Sequence, residues 1–248
     1  MKVLWFTVSP SLAAGYLNIP VAGRGWIESL QERIKAVEGI DLGVAFVHGT
    51  KEVNKFTYDN ATYYALPSKG GRIKKFIDRH LNNLNDSELI EYCIAAVNDF
   101  KPDVIHIFGT EEAFGLISDK VNVPVVIHLQ GLLNVYEKKW FPPGIGKFDL
   151  LKNSNIVDIV RANTLIKHYK YFNKASCRER KIFKAGKYFI GRTDWDRRIT
   201  AVLAPEAKYF FGSEILRKDF YSQMWSYTNS ETKIFTSTIQ ANIYKGLE

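Results

Sequence analysis

Two segments of the chain repeat one pattern that strongly limits its fold. Residues 101–109 (KPDVIHIFG) and 123–131 (VPVVIHLQG) each contain a proline, a run of β-branched residues, an embedded histidine and a closing glycine. Because both runs are apolar on both faces and a helix-like stretch joins them, they predict adjacent buried strands of a parallel sheet. In open α/β sheets the ligand crevice lies beyond the carboxyl ends of such strands. The pattern therefore predicts that four residues lie at or near a ligand-binding crevice: His106, Gly109, His128 and Gly131.

Each histidine also has a second interpretation, as an ordinary core side chain. His106 has apolar neighbours on both sides within its strand, which favours the core interpretation. His128 stands nearer the end of its strand, and its position favours neither interpretation. The sequence leaves both alternatives open.

Strand and helix patterns alternate along most of the chain. Further strands are predicted over residues 2–8, 41–47, 188–191 and 208–211. Residues 54–66 are predicted to form a β-ribbon that turns at residues 59–60. Helices are predicted over residues 24–37, 87–100, one or two within 153–185, 196–203, and 214–224 capped by Ser213. Two long loops, residues 9–22 with Gly15 and residues 132–147 with several large exposed aromatics, complete the pattern. This alternation predicts an α/β, Rossmann-like, doubly wound and mainly parallel sheet.

Residues 228–248 do not continue the alternation of strands and helices. A polar break at residues 228–230 precedes a new strand pattern at 231–239, after which no further helix follows. We therefore expect a Rossmann-like domain over residues 1–230, and over residues 231–248 a linker with the first strand of a truncated second domain.

The formal net charge of +8 is concentrated in one stretch. Residues 167–198 hold eleven Lys or Arg against three acidic residues, interleaved with aromatics. Such a stretch is typical of a solvated face, an anionic membrane surface or a phosphate backbone. The membrane ranks above nucleic acid, which we do not expect as a partner, because no nucleic-acid-binding motif is present.

The cysteines and the amino terminus bear on the compartment. Cys93 and Cys177 match no metal-ligand spacing, which favours a reduced cytoplasmic compartment and no metal. The apolar run at residues 3–6 is shorter than that of a secretion signal, and no stretch suits a membrane span. We expect a cytoplasmic protein, with peripheral attachment to the inner membrane face as an open hypothesis.

A glycine pair precedes the first predicted helix. A dinucleotide fingerprint requires G-x-G-x-x-G directly after the first strand, but Glu28 stands where the third glycine belongs and a long loop intervenes. The dinucleotide interpretation is therefore excluded. Gly23 and Gly25 then form either a turn that leads into the helix or an anion site at its amino end.

Residues 191–197 (GRTDWDR) place several charges directly after a predicted strand. Two acidic side chains beside guanidinium groups form either a structural ion network or a set of contacts to hydroxyl groups. The candidate residues of this segment are Arg192, Asp196 and Arg197.

Taken together, the motifs resemble a known family. The order and spacing of PDVIHIFG, PVVIHLQG, GRTDWDR and YFFGSEILRKDFY, as far as Tyr221, are similar to the amino-terminal half of retaining glycosyltransferases of family 4, which have the GT-B architecture. The tail from Lys233 resembles the opening strand of their carboxyl-terminal domain.

This resemblance implies a division of labour. The amino-terminal lobe would hold a glycan or lipid-linked acceptor in surface polysaccharide synthesis, and the other lobe a nucleotide sugar, without metal or cofactor. It implies that His128 lies near the donor sugar as the catalytic candidate and that Gly23 and Gly25 approach the donor phosphates. The remaining cleft candidates are Gly15, His106, Gly109, Gly131, Arg192, Asp196 and Arg197.

Two further expectations follow. Because the family's donor-binding residues lie in the other lobe, we expect little or no transferase activity from this chain on its own. The alternative function, from a different class, is a peripheral membrane-binding module that uses the basic face at residues 167–198.

Overall fold

The computed structural model describes residues 1–19, 25–67, 72–152, 154–222 and Met224. Within them one sheet contains eight strands in the order β3-β4-β2-β1-β5-β6-β7-β8. All neighbouring pairs are parallel except β3 with β4. The strands are β1 (Lys2–Thr7), β2 (Asp41–His48), β3 (Asn54–Tyr58), β4 (Ala61–Pro67), β5 (Val104–Phe108), β6 (Val125–His128), β7 (Tyr188–Gly191) and β8 (Lys208–Phe211). The predicted α/β, Rossmann-like, mainly parallel sheet is confirmed.

Helices connect the strands. They are α1 (Trp26–Ile34), α2 (Arg72–Leu81), α3 (Asp86–Phe100), α4 (Leu133–Lys138), α5 (Lys147–Lys152), α6 (Ile156–Val160), α7 (Leu165–Ala185), α8 (Asp194–Leu203) and α9 (Asp219–Ser222). Two short 3-10 helices cover Ser11–Ala14 and Ala113–Ile117. The second one occupies the helix-like stretch between the two histidine-bearing strands.

The two histidine-bearing strands are neighbours, as predicted. β5 and β6 pair in parallel, with Ile107 opposite Ile127 and Phe108 opposite His128. Because successive side chains of a strand point to opposite faces, the isoleucines join one core layer and the Phe108 and His128 rings the other. The first layer packs against α3 and α7, and the second against α1.

The loop at residues 132–147 differs from the prediction. It begins with α4, and Trp140 is buried rather than exposed. The indole packs against Tyr169 and Phe172 of α7, with ring centroids 5.9 and 4.7 Å away. The sequence pattern contained no sign of this distant apolar partner.

The helix predicted over residues 214–224 is wrong in extent. Residues 212–217 have no regular structure, and only α9 forms a helical turn in this stretch. Glu214, the first residue of the predicted helix, has no regular structure and forms an ion pair with Arg192. The predicted boundary at 230 and the segment 231–248 lie outside the described residues.

Candidate functional site

The imidazoles of His106 and His128 lie side by side on the α1 face of the sheet. Their ring centroids are 5.5 Å apart and their planes differ by only 6°. Phe108 stacks on His106 at 4.1 Å, and Trp26 of α1 meets His128 edge-on at 4.9 Å. The parallel register of β5 and β6 places the rings this way, since His106 and His128 stand on neighbouring strands and point to the same face.

Three nitrogens of this pair lack a hydrogen-bond partner within the described part of the chain. His128 is 4% exposed and both its ring nitrogens are unpaired; the Nε2 atom of His106 is unpaired as well. The Nε1 atom of Trp5, whose ring contacts His106, is also buried without a hydrogen-bond partner among the described residues. Buried polar groups are normally hydrogen-bonded, so these atoms are available to a polar ligand.

Burial keeps both histidines neutral. The pKa of His128 falls from 6.5 to about 4, mainly through burial and secondarily through the charge of Arg192, while Asp196 opposes this shift. Burial, and secondarily His128, lowers the pKa of His106 to about 3. A neutral imidazole offers one N–H donor and one nitrogen acceptor, so His128 can bind a hydroxyl group but is not a positive charge at neutral pH.

The amino end of α1 lies beside His128. Gly25 is its N-cap residue, with an extended backbone and open space where a Cβ would stand. Trp26, the first helical residue, is the one that contacts the His128 ring. The unpaired backbone N–H groups of a first helical turn favour an anion. Gly25 and His128 are therefore brought together, whereas Gly23 lies outside the described residues.

Gly109 and Gly131 mark the carboxyl ends of the two strands. Gly109 has a φ of +86°, a conformation that favours glycine, and its N–H donates to the carbonyl oxygen of His128 at 2.8 Å. A Cβ on Gly131 would stand 3.3 Å from the ring of Tyr136. Both glycines lie at the predicted edge of the sheet, and Gly109 joins the ends of the two strands.

Arg192 also lies close to this edge. Its Nη2 atom donates to the carbonyl oxygen of Gln130 at 3.2 Å, and its guanidinium forms an ion pair with Glu214. Asp196 accepts from the backbone N–H groups of Arg192 and Thr193 at 3.1 and 3.0 Å, which completes the capping box of α8. The structure thus shows an ion and capping network in this segment.

Arg197 and Gly15 occupy other surroundings. Arg197 is exposed and pairs with Asp194 at 2.7 Å. Gly15 is exposed, and its neighbour Tyr16 stacks on Phe56 of β3, which is the far edge strand of the sheet. Gly15 is therefore next to a residue that contacts the edge strand β3, and no contact joins it to the histidine pair among the described residues.

A buried carboxylate on the opposite face was missed by the sequence analysis. Glu179 of α7 accepts from the N–H groups of Leu133 and Asn134 at 3.1 and 2.7 Å, and from the hydroxyl of Thr110 and the amide of Asn134 at 2.5 Å each. The available signal was its spacing, since Glu179 falls on the apolar stripe that also contains Ile182 and Phe183.

Glu111 lies next to this carboxylate. Burial raises the pKa of Glu111, and the negative charge of Glu179 raises it further. Its carboxylate stands over the Cα atom of Gly109, where a Cβ would collide with it. An acidic side chain therefore lines the carboxyl edge between β5 and β6, a feature that the paired-strand motif did not predict.

The basic stretch at residues 167–198 does not form one face. Arg178 is buried in an ion pair with Asp86 at 2.7 Å, and Arg192 is engaged at the sheet edge. Lys167 and Lys174 donate to the carbonyl oxygens of His80 and Leu81 at the end of α2. The exposed cations along α7 are Lys170, Lys174, Arg180, Lys181 and Lys184.

Within the ranges that the structure describes, no group of three or more His, Cys, Asp or Glu side chains is placed to hold a metal ion. Of the helices in the same ranges, none combines the length and the apolar character that crossing a bilayer requires. A surface depression of about 290 Å³ lies at the opposite edge of the sheet, near Pro124 and Lys187, away from the histidines.

Solved structures resemble the chain at low identity. Sucrose-phosphate synthase from Thermosynechococcus elongatus matches 85% of this chain and 47% of its own length, with 11% identity and a TM-score of 0.50. A UGT transferase from Siraitia grosvenorii in complex with UDP matches 88% and 49%, with 10% identity and a TM-score of 0.43. A UGT from Medicago truncatula complexed with UDP-glucose matches 82% and 48%, with 12% identity and a TM-score of 0.43.

The chain spans about half the length of these proteins. No family model and no curated protein matches the sequence. At these identities the likeness to sucrose-phosphate synthase concerns the fold alone. The chain has a Rossmann-like fold of the kind found in GT-B glycosyltransferases.

Proposed function

We propose that the chain is the acceptor-side lobe of a retaining GT-B glycosyltransferase of family 4. The enzyme would move a sugar from a nucleotide sugar to a glycan or lipid-linked acceptor in surface polysaccharide synthesis. The observation that carries the proposal is His128, a buried imidazole beside the amino end of α1 whose two nitrogens have no partner in the described part of the chain. The fold likeness to sucrose-phosphate synthase supports it at the level of architecture.

In this proposal each group has a chemical role. The neutral imidazole of His128 holds a hydroxyl of the donor sugar and orients the sugar in the cleft. The N–H groups that follow Gly25 stabilise the negative charge that develops on the departing diphosphate. The low pKa of His128 suits hydrogen bonding to a neutral sugar, because no charge is then buried. No metal or cofactor is required of these residues.

The polar groups at the carboxyl edge would face the acceptor. Gly109, Gly131 and Arg192 line this edge, and His106 supports the ring of His128 from the side. Asp196 holds Arg192 through its backbone, so its contribution would be positional. Arg197 and Gly15 have no part in this version of the site.

The test uses the complete natural polypeptide that carries this sequence. It is incubated with a panel of nucleotide sugars, and release of the nucleoside diphosphate is measured with and without saccharide or lipid-linked acceptors. We expect turnover with one donor, and His128→Ala to lower kcat by about 100-fold, the usual scale for losing a key transition-state contact. The configuration of the product anomeric carbon, read by NMR, tests retention.

His168→Ala is the matched control. His168 is an exposed histidine whose ring contacts Asn163, and it belongs to α7, which packs on the face of the sheet opposite to α1. We expect it to keep wild-type turnover. Equal rates for His128→Ala and wild type would remove His128 from the site, and a folded polypeptide inactive with every donor would overturn the proposed function.

A further inference from the structure

A cluster of large apolar side chains is exposed around α5 and α6. Phe148 of α5 is 87% exposed, Ile156 of α6 is 78% exposed and Val160 is 63% exposed. Val157 and Ile159 are exposed as well. We call these five residues the apolar tip. Soluble proteins seldom expose contiguous apolar surface without a partner for it.

The apolar tip is held in place by its neighbours. Asn155 caps α6 by accepting from the backbone N–H of Asp158 at 2.8 Å. Leu150 before α6 and Ala162 after it are buried. Thr164 caps α7 directly afterwards by accepting from the N–H of Lys167 at 3.3 Å. The exposure of the tip is therefore built into the local structure.

A row of lysines lies along α7, the helix that follows α6 in the chain. At 100° per residue, Lys170, Lys174, Lys181 and Lys184 share one exposed side of this helix, opposite the buried side chains of Ile182 and Phe183. We call these four lysines the basic row. Contacts between distant residues show that α2 and α5 lie beside this helix, one on each side.

The flanking helices bring further exposed apolar groups to the basic row. On one flank lies the end of α2, because Lys174 donates to the carbonyl oxygen of Leu81 at 3.1 Å, and the Leu81 side chain is exposed. On the other flank lies α5, because the Nζ atom of Lys147 stands 5.3 Å from the ring centroid of Tyr169. The exposed side chain of Leu81 on α2 and α5 with its exposed Phe148 therefore lie on either side of the amino-terminal half of α7.

Charge decides which partner this surface fits. Residues 147–174 contain six Lys or Arg and two Asp, a net charge of +4. A second copy of the chain would bring the same positive charge against it, which is unfavourable. An anionic bilayer offers negative headgroups to the lysines and an apolar interior to the side chains between them.

We propose that the apolar tip inserts into an anionic lipid bilayer while the basic row contacts the headgroups. The surface is centred on α6. Its basic row belongs to the stretch 167–198 that the sequence suggested, but Arg178 and Arg192 of that stretch are committed within the protein and take no part. The proposal does not depend on the glycosyltransferase function.

The test is co-sedimentation of the chain with vesicles of equal parts phosphatidylcholine and phosphatidylglycerol, compared with vesicles of phosphatidylcholine alone. We expect binding to the anionic vesicles that weakens as salt is raised. The double variant Ile156→Ser/Val160→Ser should lower the partition coefficient at least about tenfold, because two apolar side chains lose their burial. Val202→Ser, an equally exposed position on α8, is the matched control and should bind as wild type does.

A second measurement reports insertion at a defined position. In a Cys177→Ser background, which removes the exposed thiol, Val160→Cys is labelled with a polarity-sensitive fluorophore, and Val202→Cys serves as the control. We expect a blue shift on anionic vesicles for the label at 160 alone.

Three outcomes would overturn the proposal. They are no sedimentation with anionic vesicles at low salt, undiminished binding by the folded Ser double variant, and self-association in analytical ultracentrifugation that the same variant abolishes.

Discussion

Two polar regions lie on opposite faces of the same sheet edge, and they differ in how their atoms are satisfied. On the α7 face the carboxylate of Glu179 accepts four hydrogen bonds from Thr110, Leu133 and Asn134. On the α1 face three nitrogens of the His106 and His128 rings have no partner among the described residues. A buried group with all partners stabilises the fold, whereas one without partners costs stability and is kept for another purpose. Glu179 therefore has a structural role, whereas the binding role of His128 stays a prediction that its unpaired nitrogens support.

The largest expected effect is a loss of folding stability when Glu179 is replaced, which tests its structural role. Glu179→Ala should lower the free energy of unfolding by about 4 kcal/mol, because four buried donors lose their acceptor. Urea unfolding followed by circular dichroism measures the change. Glu206→Ala, at an exposed position, is the matched control and should leave the unfolding midpoint unchanged. A loss below about 1 kcal/mol for Glu179→Ala would break the comparison.

The next effect is the pH dependence of stability. The pKa of His128 is about 4 in the folded protein and 6.5 in the unfolded chain, so between these values the unfolded state binds the proton. Stability therefore rises with pH across this window, and His128 should remove about 3 kcal/mol as pH falls from 7 to 4. The measurement is the difference in unfolding free energy between wild type and His128→Phe at each pH. A difference that does not vary with pH would contradict the burial of a neutral imidazole.

The smallest effect concerns His128 at neutral pH. His128→Phe replaces the unpaired nitrogens by carbon in a ring of similar shape, so stability should change by less than about 1 kcal/mol. Urea unfolding at pH 7.5 tests this, at a pH where neither state of His128 is charged. A loss as large as that of Glu179→Ala would mean that the nitrogens are paired in solution, and the binding role would fail.

Local patterns predicted the elements well where the signal was short and self-contained. The bounds of β7 and β8 agree with the prediction, since each is a short β-prone run next to glycine. The pairing of β5 with β6 followed from their repeated pattern. The ribbon of β3 and β4 turns at Asp59 and Asn60, whose positive φ values are those that Asp and Asn tolerate in turns.

Contacts between distant residues account for the differences. The prediction of a helix after Ser213 was wrong because Glu214 pairs with Arg192 of another segment. Trp140 is buried because α7 supplies its aromatic partners. Of the predicted site residues, His106, Gly109, His128, Gly131 and Arg192 gather at one edge. Arg197 and Gly15 have contacts elsewhere, and the role of each site residue stays a prediction.

From the sequence alone follow the order of the strands, the adjacency of the two histidine-bearing strands and the location of the net positive charge, whereas α2, α4 and α5 were not predicted. These features depend on residue periodicity and composition, which the chain carries without reference to its fold. Three features became visible in the folded structure alone: the imidazole of His128 is buried with no hydrogen-bond partner among the described residues, Glu179 is fully paired, and the apolar tip is exposed. Hydrogen-bond partners and burial come from residues tens of positions away in the chain, and no local pattern contains that information.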